Sequence, residues 1–333
     1  MRTAPFALLA LLAVTGCNDR SRPAMGDEHS VIVVADDALW AQVEDTVLTT
    51  LQPRVFAVRD EPTFRVSHTT PTDPYWGDLR RFRQILAIGR VGDPWVDEPL
   101  GRAGVEPRAP EIVEAESVWA RNQRVTVLVL PETADEAAVV MDHVDELASL
   151  LDYRYRAWSV NRMFTSGLDV ELRDTLAAEA GFSVQVPRVY RWRQVSDTTY
   201  LFLNDQPDAS QLVRSLLVTW RSPGTEEPSV EAALDWRDAV TDRYYDWHQV
   251  TERDRLQVRP VEAEGLDGIE VRGVWDGTVE GFPLGGSFIT RMIECPEQDR
   301  QYLLDAWLYA PARAKYQYII QLETLLDGFT CEA

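Results

Sequence analysis

Ala4 to Val14 is an almost unbroken apolar stretch of 11 residues, too short to cross a bilayer, which takes about 20. Beyond Val14 no apolar run is long enough for a second membrane-spanning helix. With Met1 and Arg2 as a minimal positive start, residues 1–16 read as a signal peptide. Removing 16 residues from 333 leaves 317, enough for one large domain or two ordinary ones.

Within that body, apolar residues fall into short periodic segments. Val31-Ile32-Val33-Val34 reads as a buried strand that ends at Asp36-Asp37. Either aspartate caps the next helix, where Leu39, Trp40, Val43, Val47 and Leu48 recur at helical spacing. Strands are predicted over 63–68, 85–91 and 124–130. Thr133 caps a long helix whose apolar face carries Ala137, Val140, Met141, Val144, Leu147 and Leu151. A further helix over 168–180 stops at Gly181.

The later segments predict strands over 184–195, 200–203, 212–220, 256–258, 268–275, 287–294 and 302–309. Helices are predicted over 230–247 and 312–326, and Pro/Gly-rich loops over 92–110 and 222–228. Short turns between adjacent strands predict an α+β fold, mainly antiparallel sheets with packed helices. Residues 17–30 read as a polar tether. The halves 31–181 and 182–333 share a strand–helix–strands–helix order, which leaves a duplication and one continuous domain both open.

Composition excludes several function classes. Hydrophobic content of 45% and 11 tryptophans supply a core, so disorder is excluded. A net charge of −21 excludes nucleic acid as a partner and adsorption onto anionic lipid. Lys315 is the only lysine; arginine carries the remaining positive charge. Both GC-rich coding and adaptation to salt account for that bias, the second because acidic, lysine-poor surfaces stay hydrated.

The leader ends in Val14-Thr15-Gly16-Cys17, which resembles the lipobox of bacterial lipoprotein precursors. The resemblance implies a Cys17 thiol carrying diacylglycerol and a membrane held through N-terminal acyl chains. Three chains at about 0.8 kcal/mol per buried CH₂ make such anchoring effectively permanent. Asn18 lacks the aspartate that often retains lipoproteins in the inner membrane, so the outer membrane is expected, with the body in the periplasm or at the cell surface. Cys295 and Cys331 are then an even pair in an oxidising compartment, which predicts a disulfide; two free thiols are the alternative.

Three later stretches follow in order: Gly273-Val274-Trp275, Pro283-Leu284-Gly285-Gly286-Ser287-Phe288, and Tyr309-Ala310-Pro311 with Lys315, Tyr318, Leu322 and Glu323. This pattern resembles the bacterial envelope lipoproteins gathered as domain-of-unknown-function family number 4837. Val33 to Trp40, Glu61-Pro62, Trp119-Ala120 with Gln123, Trp192-Arg193 and Arg237-Asp238 extend it over nearly all of the chain. Leu284 stands where the family usually has Met. The resemblance implies an envelope location and a fold class, and no activity.

Candidate site residues are few. Gly285-Gly286-Ser287 reads as an anion-binding turn or, more simply, as a tight turn feeding a strand. Ser287 is not in a G-x-S-x-G elbow. His29, His68, His143 and His248 have no metal-ligand spacing, so no metal or cofactor is expected. Arg237, Asp238 and Glu323 read as structural ion-pair members or a ligand-facing cluster, with Arg237 or Lys315 as the cation for Glu323. Trp76 and Trp95, flanked by Asp, Pro and Gly, are the tryptophans expected to be exposed for recognition. The function expected is a lipid-anchored envelope module that binds a protein or glycan. The alternative is an envelope glycan hydrolase using a carboxylate pair, for which no catalytic residue is assigned.

Overall fold

A computed structural model describes residues 22–132, 135–223, 228–261, 266–279 and 281–332. Cys17, the leader and Thr133 lie outside the described residues. In chain order the elements begin with β1 (Ser30–Val34), α1 (Asp37–Leu51), β2 (Arg54–Val55), β3 (Glu61–Pro62) and β4 (Arg65–Thr69). Next come α2 (Trp76–Leu79), β5 (Gln84–Arg90), α3 (Pro94–Ala103), β6 (Glu111–Glu116) and β7 (Arg124–Leu130). Then follow α4 (Glu136–Met163), α5 (Val170–Ala180), β8 (Phe182–Ser183), β9 (Arg191–Ser196), β10 (Thr199–Asn204) and β11 (Val213–Arg221). The last are α6 (Val230–Tyr244), β12 (Val250–Pro260), β13 (Asp267–Val279), β14 (Phe282–Cys295), β15 (Arg300–Tyr309), α7 (Tyr316–Asp327) and β16 (Thr330–Cys331). Among the described residues no helix is long and apolar enough to cross a membrane.

The chain divides into two compact units, Met1–Gln42 with Val66–Val140, and Val43–Arg65 with Met141–Ala333. The boundary expected at 181/182 falls inside the second unit. In the first, the sheet runs β4-β1-β5-β7-β6; β1, β5 and β7 are mutually parallel, and β6 is antiparallel to β7. Short turns therefore do not join all neighbouring strands, because parallel partners need a crossover.

One segment of such a crossover is α3, which replaces part of the loop expected over 92–110. Pro94 at its start and Gly104 in the left-handed region (φ 71°) just past its end are helix punctuation that reads as loop composition. Trp95 is consequently buried, 8% exposed, and its indole N–H donates to the Ile88 carbonyl at 3.1 Å. Trp76 is half-buried edge-to-face against Trp119, with ring centroids 5.5 Å apart. Neither expected recognition tryptophan is a free platform. The tether expected over 17–30 is also tied from Arg22 onward. The Ala24 and Met25 N–H groups donate to the Arg121 and Arg81 carbonyls at 2.9 Å, and Glu28 pairs with Arg83 at 3.3 Å.

The second unit holds a seven-stranded sheet, β12-β13-β14-β15-β11-β10-β9, antiparallel throughout. The two units differ in topology, one sheet partly parallel and the other antiparallel, which speaks against a duplication of the halves. Residues 184–190, read as strand, are irregular around Pro187, which has no N–H to give a ladder. Centrally placed β14 and β15 are buried on both faces, because α6 and α7 cover opposite sides. Ala233, Leu234 and Val240 of α6 pack with Trp275, Phe288 and Trp307. The buried side of α7 carries Ile319, Ile320, Leu322 and Leu325. Cys295 and Cys331 are disulfide-bonded, Cα atoms 6.3 Å apart, joining the end of β14 to β16.

A charge sits at the centre of this core. Asp305 of β15 and Arg237 of α6 are both fully buried and paired at 2.9 Å. Arg237 also donates to Thr251 Oγ1 at 2.9 Å and Gln249 Oε1 at 2.6 Å, and lies 3.9 Å over the Phe288 ring. Tyr245 and Thr290 hydroxyls complete Asp305 at 2.7 and 2.5 Å. Burial and the neighbouring Asp305 charge hold the Tyr245 hydroxyl well above the usual phenol range. Breaking such a pair from one side strands the other charge. Asp305→Asn is therefore expected to lower unfolding stability by about 3–5 kcal/mol, and Arg237→Met with Asp305→Leu together by less than either alone. Urea unfolding of the three variants measures this; an additive double variant would refute the pairing.

Candidate functional site

Gly285-Gly286-Ser287 is not a turn. The three residues lie inside β14, with Gly285 opposite Asp276, Gly286 opposite Trp275, and Ser287 between Val274 and Leu308. Neither glycine has positive φ. Gly286 is required for a different reason: a Cβ there would lie 1.9 Å from the Leu308 carbonyl oxygen and 2.7 Å from Trp275 Nε1. The backbone of β15 passes where a side chain would stand.

Beside this strand end opens a cavity of about 530 Å³, lined among others by Arg59, Asp276, Ser287, Leu308, Pro311 and Lys315. Ser287 is 3% exposed, and its hydroxyl has no hydrogen-bond partner among the described residues. Lys315 caps α7 by position but gives no side-chain cap; its ammonium pairs with Glu61 at 3.0 Å. The loop that carries Arg59 is fixed by Arg255, which donates to the Val58 carbonyl at 2.6 Å and pairs with Asp60 at 2.6 Å. Arg59 itself has no ion pair among the described residues. Two cations and a buried hydroxyl converge here, the donor set an oxyanion needs. Burial and then a hydrogen bond with Asp276 raise the Glu252 carboxyl above its usual range.

Glu323 does not pair with Arg237 or Lys315. It bridges Arg156 of α4 at 2.7 Å and Arg272 of β13 at 2.6 Å. The reason is the alternation of strand side chains. Thr290 faces Asp305 and Arg237, so the next residue, Arg291, faces α7 and pairs with Asp327 at 2.7 Å. Arg237 and Glu323 thus belong to opposite faces. Asp238 is held at the surface by Thr251 (2.9 Å) and Arg253 (2.6 Å). On the α7 side, Glu270 is 1% exposed and takes Arg259, Arg272 and Arg291 at 2.8, 2.6 and 2.8 Å. Burial opposes its charge, but the three guanidinium groups win and hold the carboxyl below its usual range.

Sequence reasoning missed Asp305, Glu270, Arg291 and Arg272. The signal was available: each is a charge inside an apolar strand run, as in Tyr302-Leu303-Leu304-Asp305-Ala306-Trp307. In the first unit, Asp36 lies between β1 and α1, and its carbonyl accepts the Trp40 N–H at 2.9 Å. Burial, then Asp93 and Glu136, raise its carboxyl. His68 stacks on Trp40 with ring centroids 4.4 Å apart. Among the described residues no group of three or more His, Cys, Asp or Glu is placed to hold a metal.

Residues 169–328 match the family model described as Domain of unknown function (DUF4837). Residues 24–164 match a different one, Domain of unknown function (DUF8532). The earlier stretches that carried the resemblance, Val33 to Trp40, Glu61-Pro62 and Trp119-Ala120, fall in that second match. No curated protein matches the chain. Similar solved structures include the Ran-binding protein Mog1p of Saccharomyces cerevisiae, at 14% identity over 46% of this chain and 90% of that one, TM-score 0.32. Another is the cyanobacterial PsbP (CyanoP) of Synechocystis sp. PCC 6803, at 9% identity over 45% and 86%, TM-score 0.31. Likeness this low bears on neither activity nor partners.

Glu270 makes a pH prediction. Its folded carboxyl titrates below the unfolded one, so its stabilisation is complete above the unfolded pKa of about 4.3 and is lost as pH falls through the folded value. Glu270→Gln is expected to cost about 3–5 kcal/mol at neutral pH, since three arginines lose their shared buried carboxylate and, among the described residues, only Arg272 and Arg291 keep another. Its stability is also expected to fall less steeply than the parent's as pH drops below about 4.3, which urea titrations across that range will measure.

Proposed function

We propose that this chain, whose residues 169–328 match the DUF4837 model, is a lipid-anchored envelope protein whose second unit binds an anionic group on an envelope glycan. The observation that carries the binding reading is the Ser287 hydroxyl, buried without a partner in a cavity that also holds Arg59 and Lys315. A buried hydroxyl left unsatisfied costs about 1–3 kcal/mol, and an arriving carboxylate or phosphate oxygen removes that penalty. The anchoring reading rests on Val14-Thr15-Gly16-Cys17 and on the apolar leader before it.

A glycan hydrolase is the weaker reading. It needs two carboxyls roughly 5–9.5 Å apart across the scissile bond. Among the described residues the lining of this cavity holds one carboxylate, Asp276, and so no such pair.

Two measurements test the proposal. Mass spectrometry of the mature protein is expected to find diacylglycerol on the Cys17 sulfur, with Cys17→Ser moving the protein from membrane to soluble fractions; an unmodified thiol refutes the anchor. Calorimetric titration with a uronic-acid disaccharide and its neutral counterpart is expected to show binding of the acidic sugar alone. Ser287→Ala and Arg59→Gln are each expected to weaken it about tenfold, the worth of one charge-assisted hydrogen bond. Equal affinity for both sugars, or none for either, refutes the site.

A further inference from the structure

A second cavity of about 450 Å³ lies in the same unit, with walls of unlike chemistry. One wall is apolar, formed by Leu51 at the end of α1, Val55 and Phe56 around β2, Phe64, and Ile319 of α7. The other carries Asp152 and Arg156 from α4, Tyr316 and Glu323 from α7, and Arg272 from β13. The charged wall is rigidly built. Arg156 is held between Asp152 at 2.8 Å and Glu323 at 2.7 Å, and Arg272 between Glu323 and Glu270, both at 2.6 Å. The Tyr316 hydroxyl donates to Asp152. Burial weakens the Arg156 charge, but Glu323 and Asp152 more than offset it, so the guanidinium stays firmly protonated.

Two donors on this cavity are left over. Thr63 is 7% exposed and its hydroxyl is buried without a hydrogen-bond partner among the described residues. Arg272 has its remaining terminal nitrogen, Nη2, buried in the same condition. A guanidinium nitrogen can only donate, so whatever satisfies it must bring an acceptor. The lining holds Arg54, Arg156 and Arg272 against Asp152 and Glu323, with Glu270 just behind it on Arg272 at 2.6 Å, so the cluster is close to neutral and the unmet donors set the ligand class.

We infer that this cavity binds a small amphipathic monocarboxylate: carboxylate oxygens on Arg272 Nη2 and Thr63 Oγ1, hydrocarbon body against the Leu51–Phe64 wall. The inference is independent of the cavity at Ser287, which shares no lining residue with this one. A dication or polyamine is disfavoured because the unmet groups include a cation that cannot accept. A neutral alcohol brings a single oxygen where two donors, Thr63 Oγ1 and Arg272 Nη2, are unmet.

Calorimetric titration of the full soluble chain with octanoate, 1-octanol and the shorter carboxylates tests it. Octanoate is expected to bind, octanol at least tenfold more weakly, and affinity to rise about fourfold per methylene from butyrate to octanoate, the worth of one buried CH₂. Thr63→Val keeps shape and removes one donor; it is expected to weaken octanoate about fivefold to tenfold while urea stability without ligand holds or rises, since an unsatisfied buried hydroxyl is removed. Arg272→Lys keeps the charge but loses the fork, and is expected to weaken octanoate more than it weakens octanol. Nitrogen-edited spectra of the arginine side chains provide a readout unaffected by folding losses, with the Arg272 resonance shifting on octanoate alone. Equal binding of octanol and octanoate, no dependence on chain length, or full affinity in Thr63→Val would each overturn the inference.

Discussion

A carboxylate with no exposure to water organises the second unit. Asp305 stands midway along the most enclosed strand, and a lone charge there would be expelled or neutralised. It is tolerated because Arg237 reaches it from α6 while Tyr245 and Thr290 supply hydroxyls. That requirement couples three things at once: the rotation of α6 about its axis, the register of β14 against β15, and the route of β12, whose Thr251 and neighbouring Gln249 hold the far side of the guanidinium. An apolar pair of similar volume could give the same area burial but would not select one orientation of helix on sheet. The gain is geometric specificity, at a cost in desolvation.

The opposite face repeats the device in a wetter setting. Arg272 and Arg291, one on each of two paired strands, reach carboxylates one helical turn apart on α7, Glu323 and Asp327. Glu270 lies between the arginines and prevents them from repelling one another. Apolar packing places α7 on the sheet, and the lattice sets its position along the axis. One cavity meets Lys315 just before that helix and the other runs along Tyr316, Ile319 and Glu323, so their dimensions follow from where the ion pairs hold it.

Element type was legible where one period dominated. The α1 stripe, the α4 face and the β5, β7, β11 and β15 runs all follow directly from apolar spacing. What was not legible had a common cause: local composition has two physical meanings. Asp93-Pro94-Trp95 is both loop chemistry and helix-start chemistry, and only the burial of Val96 and Leu100 decides for the helix. Gly285-Gly286 is both a turn signal and the mark of two backbones in close approach, and only the position of β15 decides. The partners of Glu323 were beyond reach because they depend on which side of a strand each arginine faces. That is a one-residue distinction, invisible until the register is known. The charges inside apolar runs, by contrast, were readable and point straight to the two buried networks.

Lys315 is the chain's sole lysine, 22% exposed at the mouth of the cavity near Ser287, where arginine serves every other cationic need. Guanidinium groups do not react with amine-directed acylating reagents at neutral pH, so across 333 residues such a reagent meets one side-chain target. The protein thus carries a built-in attachment point for a probe, at the place where a reporter of occupancy is wanted, without any engineered residue.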